Sequence, residues 1–225
     1  MALNKILMGI LNDFKRDYLF EDMAVSREFE YLVNYLIISK FHPDAFIDRG
    51  DLSRVVVDEK SQFGLDAMAF IVNGNLVLGK DDIVTYAKSQ KLDVDILFIQ
   101  TKTEEKWNIG DLLKTIQATK NFLKDFDAVT EKNENIINAK EIYDELFKYD
   151  NFKHCTMQSP KCHIYYVTAA NEWERNQVEN ICNGAKQEIT TILSDIKDVE
   201  VRVLGKQDII DNYRELKNNI AVQVS

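Results

Sequence analysis

Gln100 and Lys102 stand two residues apart at the end of the run Val94-Asp95-Ile96-Leu97-Phe98-Ile99-Gln100-Thr101-Lys102, which is apolar on both parities until it turns polar. A strand of that kind is buried on both faces and delivers its last side chains to a site. On a strand the two residues point to the same side with Cα atoms ~6.5–7 Å apart, so one small site can use both. Asp66, in Gly64-Leu65-Asp66 at the head of the preceding apolar run, is the candidate third member. A carboxylate and an amide oxygen suit a hard cation such as magnesium, which keeps several waters and needs few protein ligands. An ammonium beside them can orient an attacking water or stabilise charge developing at phosphorus. This is a set suited to phosphodiester cleavage. Glu30, at the edge of an apolar helical stripe, is an auxiliary candidate for a second metal or a metal-bound water.

The elements that must position these residues are readable from periodicity. Leu3, Ile6, Leu7, Ile10, Leu11 and Phe14 mark a first helix, and Phe29, Leu32, Val33, Leu36 and Ile37 a second, with Ser26 as its expected cap and His42-Pro43 as its end. Residues 65–72 and 75–78 flank Asn73-Gly74, a dipeptide that tolerates positive φ at both central positions of a tight hairpin turn. A short helix over about 82–89 precedes the central strand. Helices over about 109–126 and 137–149 follow it. Beyond Pro160 come a strand (164–169), a helix (173–193), a strand (199–204), a helix (209–216) and a last strand from Ile220. Alternation of this kind implies crossover connections and an α/β fold, a mixed sheet flanked by helices. Lys114, Gln117 and Lys120, on the helix after the central strand, are the candidate contacts to a phosphate backbone.

The 225 residues, with only two prolines, eight glycines and no internal repeat, point to one unit over 1–225, with a motif-bearing core at about 24–130 and an accessory α/β part at about 135–225. Three cysteines, an odd number, and the absence of a long apolar run or a signal-like N-terminus point to a reducing, cytoplasmic setting with no membrane partner. The net charge of −9 requires any nucleic-acid site to be a local basic patch. His154, Cys155, Cys162 and His163 are zinc-type ligands by identity, but their spacing is not that of a finger, and neighbours on a strand point to opposite faces. A buried thiol and a satisfied histidine are the expectation there. Pro43-Asp44 is a literal Pro-Asp far from the central strand, and Asp95 has the opposite parity to Gln100.

Gly64-Leu65-Asp66 followed by the strand ending Gln100-Thr101-Lys102, with the helix Phe29-Glu30-Tyr31-Leu32-Val33 ahead of it, resembles the PD-(D/E)xK nuclease superfamily in its QxK, Mrr-type variant. More narrowly, the Gly-x-Asp segment, Phe98-Ile99-Gln100-Thr101-Lys102 and the order of later elements resemble the N-terminal region of abortive-infection phage-resistance (AIPR) proteins. The resemblance spans most of the chain and is carried by about 20 residues. It implies a restriction-endonuclease-like core with added C-terminal α/β elements and DNA cleavage dependent on Mg2+ or Mn2+, RNA remaining open, with a role in phage defence. It further implies catalytic roles for Asp66, Gln100, Lys102 and Glu30, with Asp66, Gln100 and Glu30 as metal ligands. Double-strand cutting by a one-site domain points to a homodimer. Members of the family are longer, and the chain stops inside the last expected strand, so an N-terminal piece of a longer polypeptide is expected. The departures are a long interval between Asp66 and Gln100, and a neutral Gln100 where an acidic ligand is commoner. These features, with the acidic surface, define the alternative: a catalytically degenerate nuclease-fold module that binds nucleic acid or a protein partner.

Overall fold

The central strand forms where its sequence is apolar on both parities. In the computed structural model, which describes residues 3–18, 23–46, 48, 50–57, 63–129, 132–155 and 159–223, it is β3 (Val94–Lys102), with Ile96, Leu97, Phe98 and Ile99 fully buried. The chain reaches it through α1 (Lys5–Tyr18), α2 (Val25–Ile38), the short α3 (Gly50–Arg54), the hairpin β1 (Ala67–Val72) and β2 (Asn75–Val77), and α4 (Lys80–Ala87). It continues through α5 (Ile109–Lys124), α6 (Glu134–Leu146), α7 (Tyr149–Phe152), β4 (Lys161–Thr168), α8 (Arg175–Ile192), β5 (Asp198–Leu204) and α9 (Lys206–Gln223).

The sheet order is β2-β1-β3-β4-β5. β1 is antiparallel to β2 and β3, whereas β3, β4 and β5 run parallel, so the sheet is mixed and the fold α/β. Asn73 and Gly74 turn the hairpin at φ 51° and 77°, the left-handed values a two-residue turn requires. Alternate side chains feed two layers. Met68, Phe70, Ile96, Phe98, Cys162 and Ile164 pack under α4, α5 and α6. Ala69, Ile71, Leu97, Ile99, Tyr165 and Val167 pack under α1, α2 and α9. On the first face a smaller cluster joins Tyr166 of β4 to Leu112 and Ile116 of α5 and Val178 of α8.

Three local expectations change. Ser26 is not a cap: α2 begins at Val25, after an extended Ala24 that makes no side-chain cap bond. The second helix ends at Ile38, four residues before His42. The strand expected from Ile220 is the end of α9, which runs unbroken from Lys206 to Gln223. That segment has no Gly or Pro to stop a helix already under way, and a few alternating residues do not override it. Among the described residues no helix is long and apolar enough to cross a membrane.

Candidate active site

The antiparallel register of β1 on β3 pairs Ala67 with Ile99, which brings Asp66 opposite Gln100; the Asp66 amide donates to the Ile99 carbonyl at 2.8 Å. Both side chains are almost fully buried, at 2% and 3% exposure. One carboxylate oxygen, Asp66 Oδ2, accepts from Gln100 Nε2 at 2.8 Å, from the Thr101 amide at 2.6 Å and from Thr101 Oγ1 at 2.6 Å. Gln100 Nε2 also donates to the Thr101 carbonyl at 3.1 Å. A carboxylate and a carbonyl are acceptors only, so they dictate which end of the Gln100 amide faces them. The nitrogen is held, and Oε1 is left without a hydrogen-bond partner among the described residues.

Gln100 lines a cavity of about 490 Å³ between the end of β3 and α5, together with Lys102, Asp111, Lys114, Gln117 and Asn121. Its wall depends on Gly64, whose φ of +88° is a left-handed value and whose missing side chain lets the chain lie against α5; a Cβ there would sit 3.4 Å from the Lys114 carbonyl. Gln117 donates to Asn121 Oδ1 at 2.7 Å. Lys114 is largely exposed and makes a loose 3.9 Å ion pair with Asp111. Tyr166 is the register partner of Gln100 on β4. Burial pushes its phenol well above the usual tyrosine range, and the carboxylates of Asp111, Glu104 and Asp66 push it further, so it stays protonated.

The sequence candidates therefore divide. Asp66, Gln100 and Lys102 meet at one end of β3, and Lys114 and Gln117 face the same cavity. Asp66 does not itself line the cavity, and its side chain is joined to it by the Gln100 amide. Lys120 instead pairs with Glu188 of α8 at 2.9 Å. Glu30 lies on α2, which packs against the other face of the sheet, with its carboxylate 2.8 Å from Arg27. The most buried carboxylate of that helix is Glu28, paired with Lys15. Thr101 and Asp111 were not singled out in the sequence. Thr101 sat in plain view inside Gln100-Thr101-Lys102, whereas nothing in the pattern marks Asp111. For comparison with known proteins, no family model, no curated protein and no solved structure matches this chain.

A second polar group lies on the opposite face, near the start of the parallel strands. His163 Nε2 is 2.7 Å from Asp95 Oδ1 and its Nδ1 is 3.3 Å from Glu200 Oε2. Burial pushes Glu200 up, but Arg202 and the hydrogen bond to His163 outweigh it and hold the carboxyl below its ordinary value. The Phe41 ring meets the imidazole edge-on at 5.1 Å. Cys162 points to the other layer and is fully buried, so it shares no site with His163. Among the described residues no three His, Cys, Asp or Glu side chains converge as metal ligands.

Proposed function

We propose that this chain is a metal-dependent phosphodiester hydrolase acting on DNA, built on a restriction-endonuclease-like core and working in phage defence. One observation carries the reading: Asp66 holds the Gln100 amide nitrogen, so that the amide oxygen, without a hydrogen-bond partner among the described residues, borders a cavity that also contains Lys102. An amide oxygen facing such a cavity is a hard donor that fits Mg2+ or Mn2+. When bound there, such an ion supplies polarisation of a phosphoryl oxygen and a water of lowered pKa. Lys102 places its ammonium beside the reacting phosphate, where it orients the water or stabilises the growing negative charge. Lys114 and Gln117 contact the strand backbone as it lies along α5. Asp66 acts by fixing Gln100. The resemblance to AIPR proteins supports DNA as substrate, a phage-defence role and a homodimer for double-strand cutting.

The second reading, a nuclease-fold module that binds without turnover, is favoured by one feature: the Asp66 Oδ2 atom that would ligate a metal is already occupied by three protein donors. Nicking of supercoiled plasmid in Mg2+ or Mn2+ separates the two. The parent protein is expected to cut, and Lys102→Ala to slow cutting by about 10²–10³-fold with its fold unchanged. A parent that binds Mn2+ and DNA but never cuts supports the binding module, and undiminished cutting by Lys102→Ala removes that lysine from the mechanism.

A further inference from the structure

An amide oxygen is neutral, and a single neutral donor is a poor holder of a divalent cation, whose affinity rises with the number of charged ligands. The site proposed above therefore needs an anionic group facing the cavity. Asp111 is a carboxylate on the cavity wall, in the first turn of α5. The ordinary duty of an acid at this position is to cap its own helix, and two other helices of the chain show what that looks like. Asp82, third residue of α4, accepts from the Leu78 and Gly79 amides at 3.1 and 3.2 Å. Asp208, third residue of α9, accepts from the Gly205 amide at 2.8 Å.

Asp111 is the third residue of α5 and makes no such bond. Its helix is capped by Asn108, whose side chain accepts from the Gly110 amide at 2.9 Å. Among the described residues the Asp111 carboxylate has only the 3.9 Å ion pair to the exposed Lys114. It is thus relieved of capping while standing in the same cavity as Gln100 Oε1, which has no hydrogen-bond partner among the described residues and belongs to a side chain 3% exposed.

We propose that Asp111 is the anionic ligand of this site and holds a divalent cation jointly with Gln100 Oε1, replacing the acidic side chain that Gln100 lacks. The inference rests on the metal-dependent reading above. Titration of the full chain with Mn2+, followed by loss of the free-ion electron paramagnetic resonance signal, tests it without any activity assay. Asp111→Asn is expected to weaken binding about tenfold or more, with an unchanged melting temperature in EDTA. Lys114→Met, which removes the ion-pair partner, leaves binding equal or tighter. Parent-like binding by Asp111→Asn, while Gln100→Met weakens it, overturns the assignment of Asp111 and leaves the metal reading standing. A parent that binds no Mn2+ overturns both.

Discussion

The two faces of the sheet each carry a polar group, and by composition the His163 group looks more like a site than the Gln100 group does. His163 between Asp95 and Glu200 has the residue types of an acid–base or metal centre, whereas Gln100 beside Asp66 and Thr101 has a neutral amide at its middle. The difference is in what remains unpaired. Both imidazole nitrogens face protein carboxylates, and Phe41 meets the ring edge-on. At Gln100 the donors are consumed by Asp66 and Thr101, and an acceptor is left at a cavity. A buried polar network whose valences close on themselves specifies packing; one that leaves an atom over, facing space, has room for something else.

The sharpest way to break that comparison is to remove the leftover atom. Gln100→Met keeps the volume but deletes the amide, so Mn2+ binding is expected to weaken and plasmid cutting to fall with it. Asp66 Oδ2 loses one of the three donors described for it, and chemical denaturation is expected to register a loss of about 1–3 kcal/mol. The opposite outcome is expected at the other face. His163→Phe keeps the ring against Phe41 and should cost about 1 kcal/mol, because Asp95 and Glu200 lose their partner but remain partly solvated, while cutting stays at the parental rate. An activity loss there without unfolding would reverse the roles of the two groups.

Alkaline pH probes the layers that separate them. Burial pushes the Cys162 thiol on one face up to about 12 and the Tyr165 phenol beside His163 up to about 12. Both are raised above their unfolded values, so their contribution is complete below about pH 9 and is lost as pH rises toward 12, since the unfolded chain gives up these protons first. Urea midpoints measured at pH 7, 9 and 11 should fall across that interval. The smallest effects concern α5. Lys114→Ala is expected to weaken DNA binding and lower the salt slope by about one, while Lys120→Ala, whose ammonium faces Glu188, changes stability by less than about 1 kcal/mol and binding hardly at all.

How much of this was legible follows the range of the forces involved. The bounds of β3 follow from its own residues, because an apolar run that turns polar at Gln100 carries its burial with it, and Asn73-Gly74 declares its turn locally. The pairing of Asp66 with Gln100 was readable in outline from strand parity. Which side of the sheet α2 covers was not, so Glu30 was grouped with residues that belong to the opposite layer. Asp111 was hidden for a similar reason: whether an acid in a first helical turn caps its helix or faces a cavity depends on Asn108 and on how Gly64 meets α5. At the C-terminus, alternation over a few residues was too short a signal to distinguish a strand from the continuation of α9.

The stretch before β1 has a further consequence. Val55–Val57 pairs with the start of β1, the Val57 amide donating to the Asp66 carbonyl at 2.9 Å, and so forms a margin of the sheet next to the site. Its outward Val56 carbonyl would invite an added strand from another molecule. Instead Asn135 donates to the Val56 carbonyl at 2.6 Å and Asn133 to the Val57 carbonyl at 2.7 Å. The Asn135 side-chain amide thus occupies the outward Val56 carbonyl that a neighbouring strand would otherwise take, without lengthening the sheet.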